Sequence, residues 1–133
     1  YALELSAAED AVKNMTDQGL ERLRQIQAAQ REDLSNYNVD EFIRHDREFH
    51  SCIYEMSLNR ELMKLASNYY DVFRFLGMQA VMGTEERRLT TIEEHQDILE
   101  AMEQHNPKAA VQAMKKHMEQ TETNIRRHIK IAP

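Results

Sequence analysis

At 133 residues and 15.7 kDa the chain has the size of one ordinary domain with a real core, which argues against a peptide, a repeat array or two domains. Only 3 Gly and 2 Pro punctuate a chain that is 41% hydrophobic and 30% charged, a balance that suits long amphipathic helices and leaves little room for turns or disorder. The net charge of −6 excludes the broad basic field that a phosphate backbone requires, and the single Cys52 excludes an intrachain disulfide and a cysteine-based zinc finger.

Start and stop signals divide the chain into about six helices. The first covers Ala2 to Asn14; Thr16 caps a second that runs to about Arg31, with Leu20, Leu23 and Ile26 at helical spacing. The polar stretch Glu32 to Asn38 reads as a loop. Asn38 with Glu41 three residues on opens a third helix through Phe42, Phe49 and Ile53 to about Met56. Asn59 caps a fourth, apolar on one side (Leu62, Leu65, Tyr69, Val72, Phe73, Leu76), which stops near Gly83. Thr84 to Thr90 reads as a charged loop with Arg87 and Arg88 in solvent. Thr91 with Glu94 then forms a capping box for a fifth helix to about His105, and Asn106 with Pro107 starts a sixth that reaches about Lys130. No strand, repeat or low-complexity signal interrupts this order. The expected fold is all-α, an antiparallel bundle of about six helices.

Helix phase singles out polar residues where apolar ones belong. Asp46 and His50 lie about 40° apart and one turn apart on the third helix, between Ile43 and Ile53 on the same stripe. His95 falls in line with Ile98, Leu99 and Met102, and His117 with Ala110, Ala113 and Met114. Both histidines stand 11 residues from Asn106, so in an antiparallel hairpin they face each other at one height, ~16 Å from the turn. If the third helix packs into that seam, Asp46, His50, His95 and His117 form a set of three nitrogens and one oxygen. Imidazole and carboxylate suit a divalent transition metal, which offsets the cost of burying them. The same residues also fit a hydrogen-bonded core network, and Asp46–His50 alone fits an ordinary ion pair. His45 points away from Asp46 and reads as a boundary residue; His105 and His128 read as surface or capping residues. Thr121 and Asn124 follow His117 on its face and are candidate effector contacts, as is Arg74 in the fourth helix.

The stretch D-R-E-F-H-S-C-I-Y-E-M-S-L-N-R-E-L from Asp46 to Leu62, with E-H-Q-D-I-L-E-A-M-E-Q-H-N-P-K-A-A-V-Q-A-M-K-K-H-M from Glu94 to Met118, resembles the ligand-binding (FCD) domain of FadR-type regulators in the GntR family. That resemblance implies a helical bundle, a homodimer, and a divalent metal on Asp46, His50, His95 and His117; zinc and nickel both suit this donor set. It also implies a small effector, often an organic acid, held over the metal. Members usually carry an arginine in the first helix as part of the effector pocket; this chain begins Tyr1, Ala2, Leu3, Glu4 without one.

The expected function is therefore metal-dependent sensing of a small organic acid in a bacterial transcription regulator, with residues 1–133 as its effector-binding and dimerisation domain. The chain opens on Tyr1 and reads as a piece of a longer protein whose DNA-binding winged helix lies upstream. No enzymatic role is expected, since no further carboxylate shares the face of Asp46 and His50 as a general base. The alternatives are a metal-dependent enzyme acting on a small organic acid and a metal-free structural dimerisation bundle. A cytoplasmic setting without membrane contact follows from the lone cysteine and from the lack of any apolar run near the roughly 20 residues that span a bilayer.

Overall fold

A computed structural model of the chain describes residues 2–68 and 82–128. Six helices follow in order: α1 (Ala2–Asn14), α2 (Asp17–Ser35), α3 (Val39–Met56), α4 (described over 60–68), α5 (Glu85–Glu103) and α6 (Pro107–His128). No strand occurs among the described residues. The expected caps at Thr16, Asn38, Asn59 and Asn106 are in place, each side-chain oxygen accepting from the backbone N–H three residues on.

Two boundaries differ from expectation. The α2 helix continues through the polar stretch to Ser35, because Leu34 packs against a small apolar cluster around Phe42 and holds the extra turn. The α5 helix starts at Glu85 and not at Thr91: Thr84 is its N-cap, accepting from Arg87 N at 3.2 Å. Arg87 and Arg88 are consequently buried helical residues, not a solvated loop. A buried face built from arginine, threonine and glutamate carries no apolar period, so the periodic signal begins only one turn later.

With so few glycines, the chain turns on other residues in the left-handed region: Tyr37 (φ 55°), Leu58 (φ 57°) and His105 (φ 53°). At the α5 end the N–H groups of His105 and Asn106 bond the carbonyls of Met102 and Ala101, a Schellman closure that usually employs glycine. His105 is exposed, so His105→Gly removes steric cost and little else. It is expected to stabilise the fold by about 1 kcal/mol, raising Tm by a few degrees in a thermal melt.

The α5–α6 hairpin is the frame. The α1 helix lies against α6 and α3, and α2 bridges α3 and α5. A row of fully buried alanines (Ala7, Ala8, Ala11) lets α1 approach closely, and the main core joins them to Leu23, Phe49, Ile53, Ile98, Met102 and Met114. A second cluster of Phe42, Met82 and Ile92 sits one turn along α3 and α5. Four elements thus enclose the middle of α3.

Candidate metal centre

The polar residues on those inner stripes are buried together. His50, His95 and His117 each bring a ring nitrogen into a group whose members all lie within 4.8 Å of one another. His117 Nε2 stands 3.2 Å from His50 Nε2, and His95 Nε2 stands 3.2 Å from Asp46 Oδ1. As the spacing from Asn106 requires, His95 and His117 face across the seam, with ring centroids 4.8 Å apart. Phe49 lies flat on His95 at 4.0 Å and fixes the plane of that ring.

Each imidazole is also held from behind. Glu4 Oε2 of α1 meets His50 Nδ1 at 3.3 Å, Gln30 Oε1 of α2 meets His95 Nδ1 at 2.9 Å, and Glu94 Oε1 of α5 meets His117 Nδ1 at 2.6 Å. The carboxylates only accept. Gln30 presents its oxygen because its Nε2 donates to the Phe42 carbonyl at 3.2 Å. All three Nδ1 atoms therefore carry a proton and donate, which turns the Nε2 atoms inward; in its neutral form each ring presents a lone pair there. This arrangement orients histidines that ligate metals.

The donor set fits a divalent ion. Asp46 Oδ1 and His95 Nε2 are buried, and despite their closeness neither makes a hydrogen bond of acceptable angle. Two inward Nε2 lone pairs at 3.2 Å repel unless a proton or a cation lies between them. Neighbouring donors about 3.0–3.4 Å apart are also what ligands at ~2.1 Å from one ion produce.

The charge states of Asp46 and His95 suit that chemistry. Burial alone would raise the Asp46 carboxyl, yet the adjacent His95 and the charges of His50 and His117 outweigh it and hold it well below the usual carboxylate range. For His95 burial dominates and pushes the imidazole down to about 4 against the pull of Asp46, so it is neutral at pH 7. His50 shifts the other way: burial opposes its charge, but the Glu4 carboxylate prevails.

Behind His117 lies a buried network. Arg87 grips Glu94 with both terminal nitrogens, at 2.9 and 3.0 Å, and donates to Thr121 Oγ1 at 3.1 Å; Thr121 donates to the His117 carbonyl. Thr121 thus serves the α5–α6 seam. Asn124 lines a groove of about 410 Å³ that Arg87 and Glu94 also line, on the Nδ1 side of His117 and opposite the imidazole cluster. Arg74 lies outside the described residues. His45 bonds Asp33 of α2, as a boundary residue does.

Glu4, Gln30, Glu94 and Arg87 were not among the expected site residues. Glu4 lies in phase with Ala7, Ala8 and Ala11, and Gln30 with Leu23 and Ile26, so both occupy core stripes exactly as His95 does on α5. Glu94, expected as a capping residue, turns inward to Arg87 and His117.

Residues 1–120 match the FCD domain family. The chain belongs to that family. Among solved structures, E. coli McbR/YncC matches 96% of this FCD domain at 22% identity with a TM-score of 0.85, a likeness of fold. The domain spans 64% of that chain. No curated protein matches it.

Gln30 offers a test of the supporting contacts. Gln30→Leu keeps a buried side chain but strips His95 Nδ1 of its acceptor, and it is expected to weaken zinc binding about 10- to 100-fold in a competition titration against a chromophoric chelator.

Proposed function

We propose that this FCD domain is the metal-dependent sensing domain of a GntR-type transcription regulator, with zinc or nickel on Asp46, His50, His95 and His117 and a small organic acid as effector. The observation that supports it most is the convergence of three Nε2 lone pairs beside Asp46 Oδ1, with every ring fixed through Nδ1. When bound, such an ion supplies a Lewis-acidic position for an oxygen donor of the effector. The chain's own part is to hold the rings oriented, to exclude water by burying all four side chains, and to tie five helices to one point.

That last feature suits a sensor. Glu4 brings α1 to His50, Gln30 brings α2 to His95, and α3, α5 and α6 supply the donors themselves, so a ligand that prefers one arrangement of the centre biases the packing of the bundle. DNA contact is assigned to a winged-helix domain upstream of residue 1, in a cytoplasmic homodimer. Among the described residues no helix is long and apolar enough to cross a membrane.

Sensing is favoured over turnover because the carboxylates at the histidines are committed. Asp46 adjoins His95, Glu4 bonds His50, and Glu94 bonds Arg87 and His117, which leaves none of them as a general base. The test is a thermal-shift screen of short hydroxy acids and dicarboxylates on protein stripped of metal and on protein reloaded with zinc or nickel. A shift confined to the loaded protein supports the reading. Failure to take up about one equivalent of either metal sinks it.

A further inference from the structure

Arg87 and Arg88 are adjacent, both buried, and treated differently. Arg87 is neutralised by the Glu94 carboxylate. Arg88 is 7% exposed, and among the described residues no acidic side chain pairs with it. Among the described residues its only hydrogen bond is from Nη1 to the neutral Met82 carbonyl at 2.7 Å, and its buried Nε has no acceptor among them. The position adds to the imbalance: Arg88 lies in the first turn of α5, where the helix dipole disfavours a cation. A buried, uncompensated guanidinium is costly, and such a group is the usual anchor for a carboxylate or phosphate.

The surroundings point the same way. Thr91 is fully buried, and its hydroxyl donates to the Met82 sulfur at 3.9 Å, a weak acceptor and its only partner among the described residues. Arg88, Thr91 and His95 follow one another on one face of α5 at i, i+3 and i+7. Underused donors therefore line the helix for two turns, ~10 Å, leading up to an imidazole of the candidate centre. Met82 covers this row with a flexible thioether and one backbone carbonyl, both of which a ligand can displace.

We infer that Arg88 binds a second anionic group of the effector, with Thr91 beside it, so that the ligand is an elongated acid with two anionic ends and not a simple monoacid. One end reaches the metal centre and the other takes the place of the Met82 carbonyl on Arg88. This rests on the sensing function proposed above.

The test compares glutarate and adipate with pentanoate and hexanoate, matched in length and lacking one carboxylate, by isothermal titration of zinc-loaded protein, with zinc content measured in every sample. A charge-assisted contact predicts that the parent prefers diacid over matched monoacid by roughly tenfold to a hundredfold. In Arg88→Met that preference falls to within about twofold while zinc content and monoacid affinity hold; Arg88→Lys keeps part of it. Should Arg88→Met fail to fold, Arg88→Lys and Thr91→Val carry the same comparison. Equal binding of both acids by the parent, no binding of either, or a preference that survives undiminished in Arg88→Met (or, where that variant does not fold, in both Arg88→Lys and Thr91→Val) overturns the proposal. A parent without zinc refutes the metal reading instead, and the diacid preference of that metal-free protein then decides Arg88 by itself.

Discussion

In His117→Ala, bound zinc or nickel is expected to fall from about one equivalent per chain to near zero after gentle purification, with affinity reduced by at least about a hundredfold. Loss of a contact behind a ligand already costs 10- to 100-fold, and this change removes the ligand itself. His117 is also the ring whose Nε2 faces His50 at 3.2 Å, so its loss ends the opposition of lone pairs that a cation would relieve. The variant should consequently gain nothing from added metal. The parent, saturated at about a thousand times its Kd, should gain about 4 kcal/mol, a rise in Tm on the order of 10–20 °C. Elemental analysis and paired melts with and without chelator read both effects. A hydrogen-bonded core network makes the opposite prediction: chelation leaves the parent's Tm unchanged, and His117→Ala destabilises the fold whether metal is present or not.

The meeting of His95 and His117 was legible because a helix hairpin turns chain distance into height, and both stand equally far from Asn106. Asp46 and His50 were legible as one-turn neighbours inside an apolar stripe. That α3 enters the α5–α6 seam was not, because the approach of helices distant in sequence is decided by how complementary surfaces pack and leaves no local period. The helix starts at Thr16, Asn38, Asn59 and Asn106 were legible for a chemical reason, since each cap is a side chain that accepts a free backbone N–H. The start of α5 was missed for the converse reason. Its buried face is Arg87, Arg88, Thr91 and Glu94, and a pattern of charges looks the same whether it faces water or its own counter-charges. Glu4 and Gln30 stood in the right phase, but one polar residue on a stripe of alanine or leucine announces itself less plainly than a histidine among isoleucines.

Arg87→Met tests whether the network behind His117 stabilises the fold and the centre together. Glu94 has a side chain only 10% exposed, and Arg87 holds both of its oxygens. Removing the arginine leaves a buried carboxylate with His117 as its remaining hydrogen-bond partner, and breaking such a pair from one side costs about 3–5 kcal/mol. For a domain of this size that lowers Tm by on the order of 10 °C or more, read in a thermal melt of metal-free protein. Thr121 loses its donor as well, and the His117 ring, which takes its direction from Glu94 Oε1, loses its fixed support. A further fall of about tenfold in zinc affinity is therefore expected beyond the loss of stability. Arg87→Met combined with Glu94→Leu separates the two effects. Without the orphaned carboxylate the double variant should recover much of the Tm, as buried ion pairs replaced by apolar groups commonly do. It should not recover zinc affinity, because His117 Nδ1 then has no acceptor at all. Recovery of both would mean that Glu94 matters only as the partner of Arg87, and that the orientation of His117 is set by the packing of α6 against α1 and α5.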